Sequence, residues 1–350
     1  MEHSIEQFSA TIREAAAQRR ALRIRGGGTK DFYGVRLEGE PLDTRRYSGV
    51  VEYEPTELVL TARAGTPLSE IESILAAQGQ MLAFEPPHFG PHATFGGCIA
   101  AGFSGPRRAY AGAARDFVLG VRMLNADGED LRFGGQVMKN VAGYDLSRLL
   151  AGSFGTLGLI LEISIKVLPR PQTEHTRVFE MSEARAIESM NRWAGQPLPV
   201  SATCFVDGAL YLRLSGAASA VAAAQRRLGG NEVPADAQFW RSIREHSHPF
   251  FRRSPMLWRL SLKSTTAPLD LGPTLLEWNG SLRWIAAALD PAPVHAAARK
   301  AGGYATLFRA PERSAGAVYL PESLLAITRQ LKRAMDPHGI FGPGRLHPEF

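Results

Sequence analysis

Glycine placement constrains this chain more than any other feature of its sequence. Of 35 glycines in 350 residues, 14 fall within residues 90–160, and three more stand together at 26–28. Glycine is used where backbone must bend or approach something closely. Clustered glycines with exposed N–H groups are a means of holding an anion, most often a phosphate.

Three glycine-rich features carry this pattern. The first is Arg25-Gly26-Gly27-Gly28-Thr29-Lys30, which follows a short alternating strand, Ala21–Arg25. Its spacing is not that of a P-loop. A tight turn offering successive N–H groups to a pyrophosphate fits, and so does a plain strand-to-loop turn. The second is Pro87–Gly105, where Thr94, Phe95, Gly96 and Gly97 precede Ala100, Ala101 and Gly102. Small side chains there let a flat ring or a diphosphate lie against the backbone, or let two backbone segments pack closely. The third is Gly143–Ile160, containing Tyr144, Gly152, Ser153, Gly155, Thr156 and Gly158. No G-x-G-x-x-G occurs in the chain, and these glycines follow a helical run instead of opening one. A nicotinamide-binding Rossmann domain is therefore not expected.

Cysteine and charge exclude other classes. Two cysteines, Cys98 and Cys204, cannot supply a disulfide scaffold, a four-cysteine zinc site or an iron–sulfur cluster. The first twenty residues carry six charged groups and no apolar signal segment. No apolar stretch is long enough to span a membrane. Lys and Arg total 40 against 34 Asp and Glu, and the net +6 falls wholly in residues 171–350. The pairs Arg226-Arg227 and Arg252-Arg253 are too short for a nucleic-acid surface. His88 and His92 have helical metal-ligand spacing, but Pro87 and Pro91 disfavour the helix. His246 and His248 read as solvent-facing loop residues, and no metal site is expected.

Hydrophobic periodicity predicts a helix over Ile5–Arg20 and two strands within Val50–Ala64. It predicts a further helix over Leu68–Gln78 and a loop over Phe84–Pro91. Strands follow at Phe117–Leu124, Leu131–Phe133 and Leu157–Leu168. Pro169 and Pro171 break the chain where the charge balance shifts, so the main boundary is set near residue 170. Residues 177–320 hold all five tryptophans and alternate short strands with helices, an α+β pattern. A helix over Ser323–Met335 precedes a Pro/Gly-rich tail.

The order of RGGGT at 25–29, TFGGCIAAG at 94–102, RDFVLG at 115–120, GYDLSRLLAGSFGTLG at 143–158 and DPHGIFGPGR at 336–345 is specific. The chain resembles the flavoproteins that share the vanillyl-alcohol oxidase and p-cresol methylhydroxylase (PCMH) type FAD-binding domain. EPPHFG at 85–90, GPRRAYAG at 105–112 and LRFGGQVMKNVAGYDLSRL at 131–149 are similar to the FAD-binding subunits of glycolate oxidase within that family.

That resemblance implies an α+β fold: a PCMH-type FAD-binding domain of two α+β subdomains over 1–170, a smaller α+β cap over 171–322, and a segment, 323–350, returning to the FAD domain. It implies that Gly26–Thr29, with Arg25 and Lys30, carry the FAD pyrophosphate. A second loop, Thr94–Gly97 with Phe95, Ala100, Ala101 and Gly102, closes over diphosphate and flavin, near Pro87. The strand from Gly152 to Ile160, with Ser153, Gly155, Thr156 and Gly158, lines the adenosine half, and Gly143 and Tyr144 also bind the cofactor. Arg345 approaches from the tail. No His lies in the 25–30 loop, so FAD is expected to be noncovalent. Gly342 stands where the family usually has Asn, and no general base is identified.

The implied activity is FAD-dependent oxidation of a CH–OH donor, glycolate to glyoxylate, within a complex. Its other members would be a second flavin-binding catalytic subunit and an iron–sulfur subunit. The implied location is cytoplasmic, peripheral on the inner membrane face through those partners. Two alternatives stand beside it: a stand-alone 2-hydroxy-acid dehydrogenase of D-lactate type, and a structural subunit that has lost its flavin.

Overall fold

The structure, a computed structural model, describes residues 2–135, 145–313 and 319–350. Two antiparallel sheets fall on either side of residue 170. The first runs in the order Val50–Glu54, Val59–Arg63, Leu159–Lys166, Val118–Leu124, Asp130–Gly134. Leu159–Lys166 is central, which is why its Leu159, Leu161, Ile163 and Ile165 are fully buried while Glu162, Ser164 and Lys166 are not. Leu68–Ala77 covers this sheet with a stripe of Leu68, Ile71 and Leu75 at helical spacing. Ala114–Phe117, expected to open a strand at Phe117, is a helical turn, and the strand begins at Val118.

A separate ribbon pairs Leu22–Arg25 in parallel with Glu40–Asp43. The tail completes it. Leu22 N donates to the Ile340 carbonyl at 2.7 Å, and Gly342 N donates back to the Leu22 carbonyl at 2.8 Å. The N-terminal helix, Glu2–Gln18, packs Ile12 and Ala15 against Leu22, Ile340 and Phe341.

The second sheet has eight strands, in the order Asn231–Glu232, Thr173–Glu180, Ala209–Gly216, Val200–Val206, Thr274–Glu277, Leu282–Ile285, Leu257–Ser261, Tyr304–Arg309. Helices Glu183–Ala194 and Ala218–Leu228 bury Ile187, Met190, Trp193 and Val221 against one cluster of its apolar side chains. Another cluster, rich in Trp240, Phe250, Phe251, Trp278, Trp284 and Phe308, receives Phe32, Tyr33, Phe89 and Phe103 from the first part of the chain. One hydrophobic core therefore crosses the seam.

Ion pairs lock that seam. Arg213 Nη2 donates to Glu85 at 2.9 Å, Arg107 N donates to Glu85 Oε2 at 2.9 Å, and Arg107 also pairs with Glu174. Burial alone would push the Glu85 carboxyl up, but the Arg213 and Arg107 guanidiniums hold it below its ordinary value.

Candidate functional site

The glycine turn after Leu22–Arg25 lies directly against the backbone of residues 92–94. A β-carbon on Gly27 would sit 1.5 Å from the His92 carbonyl oxygen, and one on Gly26 would sit 2.2 Å from Thr94 Oγ1. Only glycine fits either position. Gly28 turns with φ +70°, the left-handed region that glycine adopts at no steric cost. Among the described residues, the N–H groups of Gly26, Gly27, Gly28 and Thr29 donate to no protein acceptor.

The second wall corrects an expectation. Thr94–Gly97 is the start of a short helix, Phe95–Ala101, and not a loop. Thr94 is its N-cap and accepts from Gly97 N at 3.2 Å. A β-carbon on Gly96 would lie 2.5 Å from Ala64 Cβ, so that glycine seats the helix against the end of Val59–Arg63. The third wall also departs from the sequence reading. Residues 152–158 form a winding loop, and the strand begins only at Leu159. Phe154 Nα donates to the Ala100 carbonyl at 2.8 Å, which ties this loop to the helix.

The tail supplies the fourth wall. Arg345 Nη2 donates to the Lys30 carbonyl at 3.1 Å, and the guanidinium stands 5.5 Å from the Phe154 ring centroid. Burial, aided by repulsion from Arg313, lowers the Arg345 pKa to about 10. Lys30 is buried too. Its Nζ donates to the His88 carbonyl at 3.2 Å, and desolvation lowers its pKa.

These walls line a cleft of about 940 Å³, counting the solvent at its open mouth. It brings together Arg25–Lys30, Thr94, Gly96, Gly97, Ala100, Ala101, Gly155, Gly158, Ile160 and Arg345. Phe95 is fully buried in the core instead. Pro87, Gly102 and Gly152 line a neighbouring cavity. Ser153 and Thr156 are buried in the loop, where Thr156 Oγ1 donates to the Ser153 carbonyl at 2.7 Å. Gly143 and Tyr144 lie outside the described residues.

Sequence reading missed Arg23, Arg36, Thr44, Ala64 and Phe154, all of which line the cleft, while Gly342, noted for its place in the tail, lines it too. Arg23 could have been found, since it alternates with Leu22 and Ile24 on the strand; the others arrive through pairing and packing.

The donor set suits a dinucleotide. Among the described residues, Arg23, Arg25, Lys30, Arg36 and Arg345 line the cleft against Asp31 and Glu38, and four backbone N–H groups there donate to no protein acceptor. A buried diphosphate needs this kind of donor array. No His or Cys is among the lining residues. Cys98, on the helix Phe95–Ala101, is buried in the core, where desolvation pushes its thiol up to about 12, so it offers no thiolate.

His246 is not solvent-facing as expected. Its ring stacks on Phe251 at 4.0 Å and meets Trp284 at 4.6 Å. Burial, with the Arg309 charge, holds it well below its usual pKa. His248 Nδ1 instead accepts from Phe250 N at 3.3 Å. Among the described residues no group of three metal-ligating side chains assembles.

Residues 2–134 match the family described as FAD binding domain. The chain is 47% identical over 339 residues to the glycolate oxidase subunit GlcE of Escherichia coli (strain K12), covering 97% of this chain and 96% of that protein. It is 36% identical over 186 residues to the glycolate oxidase subunit GlcD of Bacillus subtilis (strain 168), covering 52% of this chain and 39% of that one. Among solved structures, alkyldihydroxyacetonephosphate synthase superposes with a TM-score of 0.66 at 16% identity, covering 97% of this chain and 74% of the other, which shows the shared fold. Sequence, fold and cleft thus converge: the chain belongs to the FAD-binding flavoprotein oxidoreductase family that includes glycolate oxidase subunit GlcE.

Proposed function

We propose that this chain is the FAD-carrying subunit of a multi-subunit assembly that oxidises glycolate to glyoxylate. The observation that carries the reading is the run of unpaired N–H groups at Gly26–Thr29, in a chain alignable along nearly its whole length with a glycolate oxidase subunit. The proposed division is an FAD half over 1–170, a cap over 171–322 and a returning segment over 323–350.

In this reading Gly26, Gly27, Gly28 and Thr29 hold the diphosphate through their N–H groups. Arg345 fixes the far end of that turn by bonding the Lys30 carbonyl. The small faces of Gly96, Gly97, Ala100 and Ala101 leave room for the rest of the group. FAD, when bound, supplies a two-electron acceptor for CH–OH oxidation. With no thiolate or imidazole lining the cleft, binding is noncovalent. The two cysteines cannot build a cluster, so electrons leave through partners, a second flavin-binding subunit and an iron–sulfur subunit. No described helix is long and apolar enough to cross a membrane. The proposed location is the cytoplasm, peripheral at the membrane through those partners.

The test is flavin stoichiometry of the purified chain, followed by anaerobic glycolate. A yellow protein that releases FAD in acid supports the cofactor assignment. Protein that stays colourless after FAD addition refutes it. Bleaching by glycolate only when partners are added supports the subunit role. Bleaching of the lone chain by glycolate or D-lactate supports the stand-alone alternative, which the 34% identity to an Archaeoglobus fulgidus D-lactate dehydrogenase over 168 residues favours.

A further inference from the structure

The loop over residues 85–90 turns through three positive φ angles: Glu85 at 48°, Phe89 at 54° and Gly90 at 138°. In a bulky residue such as Phe89 that conformation persists only where the surroundings enforce it. The enforcing group comes from across the seam. Glu245, immediately after helix Asp236–Arg244, accepts from His88 N at 3.0 Å and from Phe89 N at 2.9 Å, both on Oε2. Among the described residues, no backbone carbonyl accepts from either amide.

The carboxylate is itself fixed. Its Oε1 accepts from Arg244 Nε at 2.7 Å. Arg244 Nη1 stands 3.5 Å from Glu72 Oε1, and His88 Nε2 stands 3.1 Å from Glu72 Oε2. Glu72 lies on helix Leu68–Ala77, so both halves of the chain grip the loop. The Phe89 ring is wedged between them as well, 5.5 Å from Phe32 and 5.0 Å from His246.

The other face of the loop backs onto the glycine turn. Lys30 Nζ, which donates to the His88 carbonyl, lies 5.7 Å from the Phe89 ring centroid. A β-carbon on Gly90 would lie 3.4 Å from Thr29 Cγ2. The His88 carbonyl and the Phe89 N–H belong to one planar peptide and point in opposite directions. That single peptide thus carries a carboxylate at its N–H end and an ammonium at its carbonyl end. The two charges polarise it in the same sense, so each bond strengthens the other. Burial lowers the Lys30 pKa, and the Glu245 charge works against that loss. Lys30 lines the cleft, whereas Glu245 is not among its lining residues.

We propose that Glu245 is a positioning residue for FAD: across the His88–Phe89 peptide it holds Lys30, and with it the Gly26–Thr29 turn, in the form that takes the diphosphate. The inference rests on the reading of that turn given above. It goes further in making cofactor affinity depend on a side chain of the cap.

The test is fluorescence titration of the full chain with FAD after acid removal of flavin, with folding followed by circular dichroism and melting curves. Glu245→Ala should weaken FAD binding about tenfold or more, since it removes two charge-assisted bonds. Glu245→Gln keeps an acceptor oxygen without the charge and should weaken it about threefold, which decides the question should the Ala variant fail to fold. Val221→Ala, in the apolar cluster under helices Glu183–Ala194 and Ala218–Leu228, should lower the melting temperature and leave FAD affinity unchanged. Lys30→Met should weaken FAD binding too, and adding a Glu245 substitution to it should weaken binding no further, because the two act as one unit. Wild-type affinity in the Glu245 variants, an equal loss in Val221→Ala, or additive losses in the double variant would overturn the proposal. Gly27→Ala that binds FAD normally would instead count against the turn as the diphosphate site, so the two failures are distinguishable.

Discussion

Lys332 Nζ lies 2.6 Å from Asp336 Oδ2, both buried, one helical turn apart at the end of helix Glu322–Met335. The same ammonium donates to the carbonyls of Thr156 at 2.8 Å and Phe341 at 2.7 Å. Asp336 in turn accepts from Phe341 N at 2.8 Å. This pair anchors the tail to the loop that walls the cleft.

Lys332→Met should therefore be costly. It strands the Asp336 carboxylate and two carbonyls, and removing one partner of a buried pair costs about 3–5 kcal/mol. Urea unfolding should show that loss. Retained flavin should fall as well, because Gly342 and Arg345 lose their support.

Gly27→Ala tests the cleft directly. The added β-carbon meets the His92 carbonyl, a backbone atom that cannot rotate away. Overpacking of this kind costs about 1–3 kcal/mol. The expected protein folds with a lower melting temperature and purifies without flavin absorbance. Normal flavin content in Gly27→Ala would show that the turn does not approach the segment as closely as described.

Arg213→Met tests the seam. It removes one of the two arginines that Glu85 and Glu174 share and leaves Arg107 in place, so the cost should fall below the about 3–5 kcal/mol of a fully stranded buried charge. The Glu85 carboxyl is held below its ordinary value in the folded state. Its contribution is thus present above the unfolded carboxylate pKa and lost as pH falls through the lower folded one. The wild type should lose stability on that acid side, and Glu85→Gln should start lower and lose less.

Glu277 behaves in the opposite sense. Burial raises its carboxyl to about 7, although the Trp284 N–H and the Arg259 charge favour the ionised form. Glu85 adds to the rise, and Arg213 opposes it. The folded state then keeps a proton that the unfolded state releases, so stability falls as pH rises from about 4.5 to about 7. Glu277→Gln, which preserves the bond to Trp284 Nε1, should flatten the stability profile across that window in denaturant titrations.

Much of the cleft was legible from residues alone. Gly26–Gly28 and Gly96-Gly97 mark places where a side chain has no room, and such places show in the sequence as clustered glycine. Alternation located Leu159–Lys166, since a central strand with one wetter face writes its burial into every second residue. What stayed hidden depends on distant partners. Thr94–Ala101 reads as a loop because its glycines mask a helix that packing stabilises. His246 looks like a loop histidine until the fold sets Phe251 and Trp284 around it. Glu245 is an ordinary glutamate in sequence, and only the packing of the two halves brings it to the amides of His88 and Phe89.

The bridge from Leu22 to Phe341 joins nearly the two ends of the chain. Closing so long a loop is slow compared with local pairing. The wall that Gly342 and Arg345 supply therefore forms only once that long-range pairing has closed, so the glycine turn alone does not make the cleft.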